Sequence, residues 1–296
     1  MVQFEVPEVD YTQYSNRQLV VVPLALLAVA LLIIGGWYVV TGSPANLGLE
    51  FVGGSEIRIE DPGGNAEQQI EDAFEAEPAS VRQVAADGTY IISFTEGTVE
   101  TADGETQLTV LENQAEAAGF SIQASSEVSA SFGANTQLLA LGGIAVAFTG
   151  MSLLVFAMFR TVVPSVAVIA SAFSDIMIPL AMMNLLGIDL TLGTVAALLM
   201  LIGYSVDSDI LLNNSILRRS GDFYESTHRA MRTGVTMTLT SMAAMAVMTV
   251  TAYLFGIQIM TAIGIILVVG LMADLMNTYL LNVSLLRWYV HEGIKR

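Results

Sequence analysis

Four aspartates lie within long apolar stretches of this sequence, and their type and position suit them to chemistry. They are Asp175, Asp207, Asp209 and Asp274. An ionisable side chain is unfavourable in hydrocarbon and normally faces the interior of a helix bundle or a water-filled path. A carboxyl group in such a place can take up and release a proton or bind a cation. These four residues are therefore predicted candidates for an ion relay.

Two of these acids are spaced so that their side chains point in different directions on a helix. Asp207 and Asp209 belong to residues 203–209, Gly-Tyr-Ser-Val-Asp-Ser-Asp. On a helix they point about 200° apart, so they cannot face the same partner. We expect one of them to face the bundle interior, and we take Asp207 as the principal titrating group. The predicted relay partners are Ser205, Ser208 and Asn213.

A purely structural role is the alternative for each of the four acids. A buried carboxyl group can hydrogen-bond a serine, an asparagine or a backbone group and hold two helices together. The predicted membrane stretches contain no lysine or arginine, so no cation within a span keeps these acids ionised. The sequence leaves both roles open.

Composition places the chain in the membrane class. It has 296 residues, 54% of them hydrophobic and only 13% charged, with a mean hydropathy of +0.63, which is too apolar for a soluble domain. The absence of cysteine excludes disulfides, thiol catalysis and cysteine metal sites. With two histidines and no nucleotide-binding motif, we expect no enzyme activity, no metal centre and no cofactor.

Negative charge is concentrated in one segment. The net charge is −17, and between residues 47 and 130 there are 17 acidic residues against two basic ones, a balance of −15. This segment is not expected to bind nucleic acid. Lys295 is the only lysine of the chain. An acidic, lysine-poor domain is expected of a protein that works in high salt, where charge repulsion is screened.

Six apolar stretches are each about as long as the ~20 residues that cross a bilayer as a helix. The predicted spans are residues 19–40, 137–159, 162–186, 190–212, 235–255 and 259–286, with a tail at 1–18, a connector at 213–234 and a second tail at 287–296. A cleaved signal peptide is the alternative for the first span. Its apolar stretch exceeds a signal core of ~7–15 residues and follows an acidic segment, so we interpret it as a membrane helix.

The one substantial soluble part is residues 47–131. Alternating apolar and polar residues predict strands, two amphipathic stretches predict helices, and Asp87-Gly88 predicts a hairpin turn. Their order, β-α-β-β-α-β, is that of a small ferredoxin-like sandwich. The predicted fold class is a polytopic α-helical membrane protein with six transmembrane helices and a small α+β external domain between the first and second.

Basic residues predict the orientation. Nine of the eleven fall on one side of a six-span alternation: Arg17, Arg160, Arg218, Arg219, Arg229, Arg232, Arg287, Lys295 and Arg296. Lysine and arginine in short loops mark the cytoplasmic side of a membrane. Both termini are therefore predicted to be cytoplasmic and the acidic domain extracytoplasmic, in a multi-pass protein of the cell membrane.

Three stretches resemble a known family. Residues 48–54, Gly-Leu-Glu-Phe-Val-Gly-Gly, are similar to the Gly-Leu-Asp-Phe-x-Gly-Gly signature where SecF and SecD proteins enter their first external domain. Residues 201–219 resemble the fourth-helix signature of archaeal SecF, and residues 253–256, Tyr-Leu-Phe-Gly, resemble the end of the family's fifth helix. The predicted layout fits SecF over nearly the whole chain. The matching external-domain positions are Gly48, Glu50, Phe51, Gly53 and Gly54.

The resemblance implies a subunit of the Sec protein-export apparatus in a halophilic archaeon. SecF pairs with SecD, a larger relative, as two six-helix halves related to the RND transporters. The family is held to use the proton gradient to help preproteins emerge from a SecYEG-type translocon. Implied partners are SecD, that translocon and preproteins.

The sequence departs from the bacterial form of the family at the residues implicated in proton passage. Against the bacterial motif Gly-Tyr-Ser-Leu-Asn-Asp, the key aspartate falls on Ser208, and the fifth-helix arginine falls near Met237. Asp175 does match an aspartate of the family's third helix. Either Asp207 or Asp209 takes the role with a different partner, or the coupling lies in SecD, or another ion is used.

Two other classes of protein remain as alternatives. An RND-type exporter of small molecules or lipids working alone usually has two six-span halves, so half a bundle favours a partner. An intramembrane hydrolase needs paired aspartates on adjacent helices, which Asp207 and Asp175 could supply, but no protease motif supports it.

Overall fold

The computed structural model describes residues 11–83, 88–99, 101, 105–218 and 222–293. A short 3-10 turn, Tyr11–Gln13, precedes the first long helix, α1 (Asn16–Thr41). Ser15 and Gln18 begin α1 with a reciprocal capping box, in which each side chain accepts a hydrogen bond from the other residue's backbone N–H. Helix formation therefore starts within the predicted tail 1–18, three residues before the apolar run.

An α+β domain follows α1. A single helical turn, α2 (Leu49–Val52), leads into β1 (Gly54–Ile59). The remaining elements are α3 (Ala66–Ala73), β2 (Ser80–Gln83), β3 (Tyr90–Thr95), α4 (Gln107–Ala117) and β4 (Ile122–Val128). Their order confirms the predicted β-α-β-β-α-β pattern. Of the predicted hairpin turn, Gly88 has a positive φ of 73°, whereas Asp87 lies outside the described residues.

The domain's four strands form one antiparallel sheet in the order β2-β3-β1-β4. This is the arrangement of a ferredoxin-like sandwich, with β1 and β3 in the centre. Alternation along β1 places Ile57 and Ile59 in the domain core with Ile70 of α3 and Leu111 of α4. Glu56 is on the opposite face of the sheet, because successive side chains of a strand point to opposite faces.

Five further long helices bring to six the number, within the described residues, that are long and apolar enough to cross a membrane. They are α5 (Ala130–Phe159), α6 (Val162–Leu186), α7 (Leu192–Arg218), α8 (Phe223–Leu254) and α9 (Gln258–Met276), which continues through a π-helical segment (Asn277–Asn282), α10 (Val283–Trp288) and a second π-helical segment (Tyr289–Gly293). The predicted fold class, with six transmembrane helices and an intervening α+β domain, is confirmed.

The helices extend beyond the apolar stretches that predicted them. Residues 162–186 match α6, but α5 begins at Ala130 rather than residue 137. Much of the predicted connector 213–234 is helical, because α7 continues to Arg218 and α8 begins at Phe223. Likewise, the predicted tail from residue 287 is helical to residue 293. Polar residues outside the hydrocarbon continue a helix readily, so hydropathy marks the membrane-crossing part and not the helix end.

Three helices form the centre of the bundle. Side chains of α6, α7 and α9 are largely buried against one another, whereas α1, α5 and α8 expose many apolar side chains on the surface of the chain. Leu198 and Leu201 of α7 are fully buried, and so are Ile266 and Leu267 of α9. Polar side chains on the inner faces of the three central helices therefore meet each other away from the surface.

Candidate ion-relay site and domain junction

Three of the four intramembrane aspartates lie in the centre of the bundle. Asp175 of α6 is 1% exposed, Asp209 of α7 0% and Asp274 of α9 2%. Asp175 accepts hydrogen bonds from Ser205 Oγ and Asn277 Nδ2, each at 2.6 Å, with a longer contact from its own helix. This carboxyl group therefore joins α6 to both α7 and the π-helical segment after α9.

The other two acids share a hydroxyl group. Asp209 Oδ1 accepts from Thr278 Oγ1 and Asn282 Nδ2, each at 2.8 Å. Asp274 lies 2.7 Å and 3.0 Å from Ser208 Oγ through its two carboxyl oxygens, and 3.2 Å from Thr278 Oγ1. A continuous chain of polar groups thus runs from Asp209 through Thr278 and Asp274 to Ser208.

The number of available hydrogens limits how this row of polar groups can be hydrogen-bonded. The Thr278 hydroxyl has one hydrogen but contacts a carboxyl oxygen of both Asp209 and Asp274. Both contacts of Thr278 are hydrogen bonds when one of the two carboxyl groups carries a proton and donates it to the Thr278 oxygen. In the described part of the chain, the hydrogen-bond partners of the three acids are neutral serine, threonine and asparagine side chains. Proton uptake or a bound cation can compensate such buried carboxylates.

The π-helical segment supplies three of the donor residues. It contains Asn277, Thr278 and Asn282, all buried, within one widened stretch of helix. Single π-turns inserted in α-helices frequently occur at functional sites. Thr278 and Asn282 were not among the predicted partners. Their signal is nevertheless in the sequence, because Asp274, Thr278 and Asn282 recur every four residues in an otherwise apolar run and so share one helix face.

Asp207 is placed differently from the prediction. Its side chain is exposed on the surface of the chain, whereas Asp209 is fully buried. The predicted divergence of the two acids is present, but the inward one is Asp209. Two residues apart on α7, only one of the two acids can face α6 and α9, and that acid is Asp209. The role of Asp207 as the principal titrating group stays a prediction, which its exposed position does not favour.

Of the three predicted relay partners, two contact an aspartate and one does not. Ser205 contacts Asp175 and Ser208 contacts Asp274, as expected of relay partners. Asn213 is 0% exposed, but within the described part of the chain neither its amide nitrogen nor its oxygen has a hydrogen-bond partner. The expectation that Asn213 bonds an aspartate is therefore wrong in this conformation. Asp209 Oδ2 and the Asn282 oxygen are likewise without a partner among the described residues.

Among the described residues, no group of three or more histidine, cysteine, aspartate or glutamate side chains is placed to hold a metal ion. In the acid cluster, aspartate carboxyl oxygens accept hydrogen bonds from serine and threonine hydroxyl groups and from asparagine amide nitrogens. The arrangement is a hydrogen-bonded network of carboxyl, hydroxyl and amide groups.

The signature at residues 48–54 lies where the external domain joins the bundle. Phe51 is buried with Leu190 and other bundle side chains. Glu50 Oε2 accepts a hydrogen bond from the backbone N–H of Leu192 at 2.6 Å. Gly53 and Gly54 have positive φ values of 81° and 131°, which favour glycine, and they turn the chain into β1. These residues form a structural junction with no contact to the acid cluster.

A small ionic group lies beside this junction. Arg82 Nη1 of β2 is 3.3 Å from Asp189 Oδ2 in the loop between α6 and α7. Burial raises the pKa of Asp189, and Arg82 partly opposes that change. Burial also raises the pKa of Glu56, again against the effect of Arg82 and of a hydrogen bond from Ser93. The polar face of the sheet therefore faces the α6–α7 loop.

The fold and the acid cluster define a class: a six-span membrane protein with carboxyl groups in its bundle centre and an extramembrane ferredoxin-like domain. Residues 109–292 match the family model described as "Protein export membrane protein SecD/SecF, C-terminal". The chain is 66% identical to protein-export membrane protein SecF of Haloferax volcanii and 64% identical to that of Haloquadratum walsbyi, over the full length of each. It therefore belongs to the SecD/SecF family, and within it to SecF.

A solved structure has the same fold. SecDF from Thermus thermophilus, described as a translocon-associated membrane protein, aligns with a TM-score of 0.71 at 19% identity, over 97% of this chain. The alignment covers 39% of that longer chain, so this chain spans about two fifths of it. The two similar proteins from salt-loving archaea agree with the high-salt interpretation of the acidic domain.

Proposed function

We propose that this chain works as the SecF subunit of a SecD–SecF complex that assists protein export through a SecYEG-type translocon. Family membership supports the export role. The relatives in salt-loving archaea carry the name protein-export membrane protein SecF over their full length. The solved SecDF chain is longer than this one, and only 39% of it aligns with this chain, which supports a partner that supplies the rest.

The proposed orientation places both termini in the cytoplasm and the acidic domain outside. Of the basic residues with described positions, Arg160 lies between α5 and α6, and Arg229 and Arg232 lie in the first turns of α8. Arg287 lies in α10, at the opposite end of the bundle from the α6–α7 loop that contacts the domain. This distribution supports a cytoplasmic side rich in arginine.

We further propose that the acid cluster couples export to an ion gradient, with the proton as the first candidate. The observation that carries this proposal is the chain of contacts from Asp209 through Thr278 to Asp274, with Asp175 beside it. A shared hydroxyl between two buried carboxyl groups allows a proton to pass from one to the other with small movements. The bacterial aspartate position is Ser208 here, and Ser208 contacts Asp274 directly.

Neutralising the inward acid tests this coupling. The change Asp209→Asn is expected to lower export in native membrane vesicles to the level seen when the gradient is collapsed, and Asp175→Asn should do the same. The control is Asp207→Asn, which removes an equal charge from the exposed face of the same helix. Export of a preprotein is measured with and without the gradient. Unchanged gradient dependence in Asp209→Asn and Asp175→Asn would place the coupling outside this subunit.

A further inference from the structure

We infer that residues 46–50 form a fixed joint between the external domain and α7, in which Glu50 is a positioning residue for the relay groups on that helix. The inference rests on the proposed ion coupling for its purpose, but the joint itself is defined by contacts outside the membrane.

Backbone hydrogen bonds make the first contact of the joint. The N–H of Gly48 donates to the carbonyl of Leu190 at 2.9 Å, and the N–H of Leu190 donates to the carbonyl of Asn46 at 2.6 Å. Leu47 and Leu190 are thereby paired as a parallel β-bridge. The segment entering the domain is thus attached to the loop that leads into α7, two residues before that helix begins.

Glu50 makes the second contact. Its carboxylate accepts a hydrogen bond from the N–H of Leu192, the first residue of α7. The first N–H groups of a helix have no partner within the helix, and a negative charge there is favoured by the helix dipole. A side chain of the domain's entry segment therefore caps the helix that carries the relay.

Glycine at residue 48 suits this close approach. Its φ of −72° suits any residue, so conformational freedom is not the reason. A Cβ atom at this position would lie 2.7 Å from Thr191 Cγ2 and 3.2 Å from the carbonyl oxygen of Leu190. A side chain here would displace the Thr191 methyl group and press on the Leu190 carbonyl, so glycine favours this close approach of the two backbones.

The ion pair between Arg82 and Asp189 attaches a second point of the domain to the same loop. This ion pair is partly exposed, so it adds a weaker contact to the backbone hydrogen bonds of the entry segment. The joint therefore involves both the entry segment and β2 of the sheet.

Helix α7 connects the joint to the acid cluster. From Leu192 to Asp209 it extends about 26 Å, at 1.5 Å rise per residue. It carries Ser205, Ser208 and Asp209, whose side chains contact Asp175 of α6 and the polar groups of the π-helical segment. When the domain moves relative to the rest of the bundle, α7 therefore moves with it. This movement changes the contacts of all three relay groups together.

Removing the cap tests the positioning role in the full-length protein in its native membrane. In Glu50→Ala we expect gradient-stimulated export to fall while gradient-independent export is retained. The reaction rate of Asp209 with a hydrophobic carbodiimide, read by mass spectrometry, should also change. Glu50→Gln keeps an oxygen acceptor for the Leu192 N–H and should restore both readouts. The melting temperature of each variant checks that the fold is intact.

A reversible crosslink tests whether the joint stays closed. The chain has no cysteine, so Leu47→Cys with Leu190→Cys introduces a single possible disulfide. Paired strands lie about 4.8 Å apart, within the roughly 4.4–6.8 Å between Cα atoms that a disulfide spans. We expect oxidation to leave gradient-stimulated export unchanged, because the joint moves as one body. Loss of export on oxidation and recovery on reduction would overturn the inference, since the contact would then have to open.

Different measurements test the ion coupling and the positioning role of Glu50, so either proposal can be wrong without the other. If Asp209→Asn leaves export unchanged, ion coupling through this subunit is wrong, but the carbodiimide rate in Glu50→Ala still measures transmission from the joint to Asp209. If that rate equals the wild-type rate, the positioning role of Glu50 is wrong whatever the result for Asp209→Asn.

Discussion

At the scale of single residues, surroundings rather than residue type decide which acids take part. Asp207 and Asp209 have the same side chain and lie two positions apart, yet one is exposed and the other fully buried. The pKa values of Glu56 and Asp189, which lie outside the membrane, likewise depend on the surroundings of each side chain. Both are partly buried beside one arginine, Arg82, and burial raises the pKa of each.

The raised pKa of Glu56 predicts a pH-dependent effect of removing its charge. The pKa of Glu56 in the folded state lies above its value of about 4.3 in the unfolded chain. Protonated Glu56 therefore contributes its full stabilisation below about pH 4.3. This contribution is lost as the pH rises through the folded-state pKa. A glutamine side chain does not titrate. The melting temperature of Glu56→Gln should therefore rise relative to that of the wild type as the pH increases from 4 to 8. Thermal unfolding of the full-length protein at several pH values measures this.

A matched variant separates the burial effect from loss of negative charge. Glu71 is exposed on α3 of the same acidic domain, and Glu71→Gln removes the same charge there. A difference between Glu56→Gln and wild type that shrinks toward pH 8, or one that Glu71→Gln reproduces, contradicts the burial explanation.

At the scale of elements, the junction depends on a close contact between α2 and the first turns of α5. A Cβ atom on Gly133 would lie 2.7 Å from the carbonyl oxygen of Phe51 and 3.1 Å from the backbone nitrogen of Gly53. Backbone atoms cannot rotate away as a side chain can, so the two elements must move apart if residue 133 gains a side chain.

Gly133→Ala is therefore expected to destabilise the protein by about 1–3 kcal/mol, the usual range for overpacking. The control is Gly143→Ala on the same helix, where a Cβ atom meets nothing within 4 Å and alanine is the better helix former. Thermal unfolding of the two variants in the same detergent measures the difference. Equal melting temperatures would show that α2 and α5 can separate without loss of stability.

At the scale of the whole molecule, three helices have apolar faces that the chain itself does not cover. Leu32 of α1, Leu138 of α5 and Val247 of α8 are each more than 60% exposed. Lipid covers such faces in part, and the exposed Asp207 on α7 favours a protein neighbour at that position. A half bundle with this surface fits a partner that supplies the other half.

We expect a tagged form of this chain, extracted from its native membrane in mild detergent and high salt, to retain a SecD-like protein identified by mass spectrometry. Extraction of an unrelated tagged membrane protein under the same conditions is the control. Recovery of homo-oligomers without any Sec component would favour a free-standing RND-type transporter instead.

The sequence by itself determined the membrane class, the six spans, the β-α-β-β-α-β domain and the family. These follow from local patterns: runs of apolar residues, alternation of period two, and short signatures such as residues 48–54. Helix ends were less well predicted, because α5 and α8 continue into polar segments that hydropathy does not mark.

Only the tertiary structure decided which acids meet. Asp175, Asp209 and Asp274 come from three helices, and their contacts with Ser205, Thr278 and Asn277 depend on how those helices are rotated about their axes. Rotation is set by packing of whole helix faces, which no single segment specifies, and so Asp209 rather than Asp207 faces inward. The same is true of Glu50, since its partner Leu192 is 142 residues away in the chain.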